Sequence, residues 1–376
     1  MQPTQPRLSS RRQKLARQYA GLMRRSSFTQ SAIVGVIFLV LVFGGLSVKL
    51  GHFLAFPQPW ASALYFIILA IGMSLILMPL NYYQGFILPH RYGLLHQKFT
   101  AWLVDRAKAS ALSFLLALAL VVVLYWLLDN FPDSWWLWAA IVLFLLSLLL
   151  TRLTPTLLIS IFFKLEPLTD KKLKKKLTNL AKRARAPILG VFTINLSSKS
   201  TTANAMLAGF GGTRRIVLTD TLLQKYNPDE IEVILAHELG HHLHKDIPKL
   251  IAVQAIMILV GLYISNLVLK AGVIPLGFSG VSDVAALPLL FLSVAVFTMI
   301  ITPLTNSYSR RVEASADGAA IELTANPRAF ISAMTRLTNQ NLSVADPDRW
   351  TELLFYDHPP YTKRVNLAKK YSAKVE

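Results

Sequence analysis

Two histidines four residues apart, with a glutamate next to the first, are the residues of this 376-residue chain best placed to do chemistry. They lie in Ile231-Glu-Val-Ile-Leu-Ala-His-Glu-Leu-Gly-His-His-Leu-His-Lys-Asp246 as His237-Glu238-x-x-His241, a zinc-hydrolase pattern. On a helix, positions i and i+4 sit about 40° apart around the axis and roughly 6 Å along it, so both imidazoles reach one tetrahedral ion. Glu238 is turned by about 100° from His237, which puts a carboxylate beside the metal's open position, where a general base is needed.

The surrounding residues predict the helix. Asn227 is a candidate N-cap, Pro228 suits the first turn, and Asp229 and Glu230 place negative charge at the positive end of the dipole. Ile231, Ile234 and Leu235 make it mostly apolar and buried. A catalytic zinc needs a third protein ligand. The third His of metzincins is missing, since position 244 is His rather than Gly and position 247 is Ile. The candidate is therefore Glu313, in Ser309-Arg-Arg-Val-Glu-Ala-Ser-Ala-Asp317, where Asp317 shares its helix face and can orient a ligand histidine.

Composition says where this chemistry takes place. Hydrophobic residues make up 53% and charged residues 16%, which predicts a polytopic membrane protein. The net charge of +19 sits beside apolar runs, where it sets topology and meets anionic lipid, and this argues against a nucleic-acid partner. With no cysteine, disulfides and thiolate sites are excluded.

Six spans are expected, at residues 32–50, 61–82, 111–128, 135–163, 250–269 and 284–304. The fourth run is longer than a bilayer requires and contains Arg152 and Pro155, so a kink or early exit is expected. Segments before span one, after spans two and four, and after span six are rich in Lys and Arg, whereas 51–60, 129–134 and 271–283 have none. The positive-inside rule then puts both termini and the metal motif on the cytoplasmic side. The domains read as a basic arm (1–30), a four-span membrane domain (31–163), a first protease segment (164–248), a two-span hairpin (249–304) and a second protease segment (305–376). Residues 170–185 read as an amphipathic helix, 188–196, 203–210 and 213–220 as strands, the last two joined at Gly211-Gly212.

Together these motifs resemble the membrane zinc metallopeptidases of the CAAX prenyl protease 1 and heat-shock protease HtpX family. The resemblance covers residues 165–368 and, more weakly, 83–110. It rests on Asn204-Ala205 ahead of Arg215-Ile-Val-Leu-Thr-Asp-Thr-Leu222, on His237-Glu238-Leu-Gly-His241, on Arg310-Arg-x-Glu313-x-x-Ala-Asp317, and on His358-Pro-Pro360 with Arg364. Pro89-His-Arg-Tyr-Gly-Leu94 looks like the CAAX protease side of the family. The fold expected is a mainly α membrane protein with the six spans counted above and a gluzincin-type α+β protease domain, and the resemblance implies one zinc held by His237, His241 and Glu313 with Glu238 as base. It implies that Asn204 and Ala205 line the substrate, that His358 lies near the oxyanion, and that Arg364 lies near the Glu-bearing helix. Taken alone, Asn204 could equally be a turn residue, His358 a cap before Pro359, and Arg364 the partner of any surface carboxylate.

The chain departs from the CAAX enzymes at Thr201-Thr-Ala203, where they carry a His, at Ala314, where they carry an aromatic, and in having six spans rather than seven. The expectation is a zinc-dependent metalloendopeptidase of a bacterial cell membrane, acting on membrane-associated polypeptides. Processing of prenylated CAAX proteins and a non-catalytic scaffold with structural zinc are the alternatives.

Overall fold

The computed structural model describes residues 6–54, 56–153, 159–209 and 214–375. In chain order, α1 (Ser10–Phe43), α2 (Leu46–Phe53), α3 (Trp60–Tyr82), α4 (Leu88–Arg91), α5 (Phe99–Asn130), α6 (Trp135–Leu153) and α7 (Ile159–Phe162) build the first membrane domain. Next come β1 (Leu165–Pro167), α8 (Lys171–Arg183), β2 (Gly190–Ile194), β3 (Ala205–Ala208), β4 (Arg215–Thr219), α9 (Asp220–Lys225) and the motif helix α10 (Pro228–Leu243). The chain then runs through α11 (Asp246–Gly272), α12 (Leu287–Thr324), α13 (Pro327–Gln340), α14 (Arg349–Phe355) and α15 (Tyr361–Val375).

Among the described residues, six helices are long and apolar enough to cross a membrane. Their boundaries differ from the sequence expectation for physical reasons. The first span lies within α1, which begins in the basic arm and stops at Gly44-Gly45, where Gly45 takes φ 67°. Residues 46–50, expected inside that span, belong to the separate short helix α2. The expected fourth run ends as helix at Leu153, and Pro155 lies outside the described residues. The sixth span and the helix bearing Glu313 are one uninterrupted α12 rather than two elements.

Helix contacts within the spans use the few available polar and small side chains, as lipid requires. Fully buried Trp135 donates from Nε1 to Asn266 Oδ1 at 2.9 Å, joining α6 to α11. Ser293 and Ser265 are linked at 2.9 Å across α11 and α12.

The sheet has the order β1-β2-β4-β3, with β2 and β4 parallel and β1 and β3 antiparallel to their neighbours. The turn joining β3 to β4, where Gly211-Gly212 was expected, lies outside the described residues. Strand β4 is buried on both faces: Ile216 and Leu218 meet the α10 core, while Val217 packs with Ile194 and Ala208. This leaves β3 as a short edge strand next to the site.

Helix α10 starts as its sequence requires, with Asn227 accepting from the Asp229 and Glu230 N–H groups and Glu230 reaching back to the Asn227 N–H. Glu230 is fully buried, and it also accepts from Ser332 and from Arg336 Nε at 2.8 Å. One carboxylate therefore fixes both the start of the motif helix and its contact with α13. Glu230→Ala should cost about 2–4 kcal/mol by leaving those donors unpaired. Thermal unfolding of the purified protein checks this; an unchanged midpoint would contradict the role.

Candidate active site

Gly240 lets α10 and α12 approach closely. A Cβ at this position would come within 2.9 Å of the Ala316 carbonyl oxygen and 3.0 Å of its Cα. The approach sets His237 and His241 against Glu313. His237 Nε2 lies 3.1 Å from Glu313 Oε2 and His241 Nε2 lies 3.5 Å from Oε1, with the two imidazole centroids 5.0 Å apart. One ligand atom from each of the three residues lies within 4.8 Å of the others. Glu313 Oε2 is buried and accepts no hydrogen bond. A buried carboxylate set between two imidazole nitrogens, with one oxygen lacking a hydrogen bond, is what a bound cation would satisfy.

The opposite ring nitrogens are both held. His237 Nδ1 lies 2.9 Å from Asp317 Oδ1, and Arg364 from α15 grips that carboxylate with Nε at 2.8 Å and its terminal nitrogen at 2.5 Å. His241 Nδ1 lies 3.1 Å from Asp246 Oδ2. Carboxylates on Nδ1 fix the proton there and leave each Nε2 lone pair free for a metal. Burial lowers the His237 pKa, but Asp317 and Glu313 outweigh it and push it up to about 9 without metal. A bound ion would therefore displace a proton from this ring.

The site opens into a cavity of about 440 Å³ lined by Asn204, Ile234, Glu238, Met334, Asn341 and His358, among others. Burial raises the Glu238 carboxyl above its ordinary value, while the two motif histidines pull it back. His358 is half exposed, with Nε2 3.4 Å from Glu313 Oε1 and Nδ1 2.8 Å from Asp357 Oδ1. The Asp357 hydrogen bond raises its pKa, and burial opposes this.

The nine residues singled out in the sequence thus converge, with one distinction. Asn204 faces the cavity, whereas the Ala205 side chain is buried in the core and only its backbone lies along the sheet edge. His242 and His244 turn elsewhere, towards the Arg185 carbonyl at 3.3 Å and Ser315 Oγ at 3.1 Å. Sequence reasoning missed Asp246 and Asp357. Asp246 reaches His241 because Lys245 takes φ 53°, a left-handed turn that ends α10 and starts α11. The motif helix therefore breaks at that point instead of continuing into the fifth span. Asp246→Asn should weaken metal affinity about 10–100-fold. Competition with a chelating dye measures this, and unaltered affinity would mean that Asp246 does not orient the ligand.

Comparison with known proteins agrees with this architecture. Residues 167–372 match peptidase family M48, and residues 4–164 match the CAAX prenyl protease N-terminal region of five membrane helices. Among the described residues, this region of the chain has four helices long enough to span. A Bacillus subtilis protein named uncharacterized metalloprotease YhfN is 30% identical over 95% of this chain and 85% of its own length. The CAAX prenyl protease 1 homolog of Arabidopsis thaliana is 31% identical over 77% of this chain and 68% of its own. The crystal structure of S. mikatae Ste24p superposes with a TM-score of 0.83 at 22% identity, covering 96% of this chain and 89% of that one, a likeness of fold. With the protease pattern spanning more than half of its residues and a relative this similar along nearly all of its length, the chain is an integral membrane protein belonging to peptidase family M48.

Proposed function

We propose that the chain is a zinc-dependent metalloendopeptidase that hydrolyses peptide bonds of membrane or membrane-associated proteins. The carrying observation is the convergence of His237, His241 and Glu313 beside a cavity that Glu238 also lines. A donor set of two imidazoles and one carboxylate suits zinc and leaves a fourth position free. Zinc held there would lower the pKa of water to about 7 and polarise a substrate carbonyl.

The remaining work falls to side chains of this chain. Glu238 accepts the water proton and returns it to the leaving nitrogen, a role helped by the raised carboxyl pKa that burial gives it. His358, held by Asp357, donates from Nε2 to the oxygen on which charge develops. Arg364 and Asp317 keep the His237 ring aimed. The outer edge of β3, which starts at Asn204 and Ala205, offers a substrate strand somewhere to pair, through residues such as Leu207 whose backbone groups face away from β4. A purely structural zinc has no use for a half-buried carboxylate beside an open cavity, which weighs against the scaffold reading.

Relatives named CAAX prenyl protease 1 favour a second reading, C-terminal processing of prenylated proteins. Thr201-Thr-Ala203 and Ala314 depart from the pattern of those enzymes and weigh towards the broader one.

Glu238→Gln should retain the metal and lose cleavage by at least about a hundredfold. Metal content by atomic absorption and turnover of a peptide pool decide this, and an active variant would sink the mechanism. For a protein of a bacterial cell membrane, as we read it, the Lys and Arg distribution supports both termini and the site facing the cytoplasm. A C-terminal reporter fusion should then signal from the cytoplasm; a signal from the far side would reverse the topology.

A further inference from the structure

The free edge of the sheet is shorter than its strand suggests. Asn204 bonds inward, its carbonyl accepting from the Thr219 N–H and its N–H donating to Thr219 Oγ1, both at 3.1 Å. By the two-residue period of a strand, Ala203, Ala205 and Leu207 turn their backbone groups to the open side. Both groups of Ala203 are already taken. Its N–H donates to Asn341 Oδ1 at 3.1 Å, and its carbonyl accepts from Asn341 Nδ2 at 3.3 Å. The carboxamide copies one peptide group of an incoming strand.

This mimic is firmly mounted. Asn341 follows α13, and Leu342 after it is buried in the left-handed conformation at φ 51°, packed with Ala16, Leu94 and Val344. The N-terminal arm clamps the same turn. Arg12 donates to the Asn339 and Gln340 carbonyls at 2.8 and 3.0 Å, and Gln13 bonds Ser343 and Ala345. Gln340 donates to the Thr201 carbonyl at 2.6 Å. Asn341, Ala203 and Asn204 all line the cavity that holds Glu238.

We propose that Asn341 is a specificity-determining stop: it ends the pairing edge at Ala203, so that a bound polypeptide can pair only beyond it, with the Ala205 carbonyl and with Leu207, the Ala205 N–H being held by Asn204 Oδ1 at 2.9 Å. This inference rests on the peptidase reading above. Its consequence is that the groove accepts few residues on one side of the scissile bond, and Asn341 sets the register of the backbone against the metal.

The test uses the full-length, zinc-loaded protein in detergent and a cleaved reporter peptide lengthened one residue at a time, from its N-terminus in one series and from its C-terminus in the other. For the wild type, kcat/KM should fall about tenfold at one fixed length in one series only, the scale of one or two lost backbone hydrogen bonds. Asn341→Ala should erase that fall or move the cleaved bond by one two-residue sheet repeat, as read by mass spectrometry. Asn341→Asp keeps the bulk but repels the Ala203 carbonyl and should act in the same direction, which covers the case in which the alanine variant does not hold its metal. A wild type without any length limit, or variants with an unchanged one, overturns the stop while leaving the peptidase reading intact. A wild type that cleaves no peptide of either series overturns that reading and the stop with it.

Discussion

The structure depends on one close crossing. Helices α10 and α12 touch backbone to backbone at Gly240 and Ala316, and any side chain at position 240 would push them apart. Two members of the candidate metal site lie on one helix and the third on the other, so helix separation sets their mutual distance directly. The constraint also explains why α12 runs unbroken from the spans into the site. One continuous helix, with Pro303 inside it, carries Glu313 and Asp317 from the membrane to α10.

Burying this many charges would be costly unless they balance. Asp317 is almost fully buried, yet it faces Arg364 and the His237 ring. Asp246 is equally buried and meets His241 and Lys249. Each carboxylate therefore has a partner, as buried charges require. Among the described residues, Glu313 Oε2 is the buried side-chain oxygen left without a hydrogen bond. It lies 3.1 Å from His237 Nε2, on the side where both motif histidines present their remaining nitrogens, so the unfilled hydrogen-bonding capacity and the ligand geometry point to the same place.

How much of this was legible in the sequence follows from the range of each interaction. The six spans, the N-cap at Asn227 and the pairing of Glu313 with Asp317 are local patterns of period, cap and spacing, and they could be read. Placing Glu313 needed one long-range step, across the two spans that separate it from the motif helix, and the structure brings it within reach of His237 and His241. Asp246 could not be read, because its approach to His241 depends on the left-handed turn at Lys245, a conformation that lysine does not signal. Nor could the docking of the basic arm. Arg12 and Gln13 hold a turn more than 300 residues away in sequence, and in a linear reading the arm's charge is fully explained by topology.

That docking bears on why a short edge strand can stay open. An unpaired edge invites association with any extended chain, and proteins blunt such edges by shortness, bulges or cover. Here β3 has only four residues, Ala203 is covered by Asn341, and the Ala205 N–H is occupied by the neighbouring Asn204 side chain. The segment leading into the strand is held by the membrane domain, through the Leu95 to Ser200 bridge and through Lys199, which pairs with Asp105 at 2.6 Å. Both walls of the edge are thus braced by elements that precede the protease domain in sequence. The first membrane domain and its basic arm complete the groove as well as anchoring the chain. A protease domain cut free at residue 164 would lose Arg12, Leu94 and Asp105 together, and with them the contacts that hold the stretch from Lys199 to Ala203 in place.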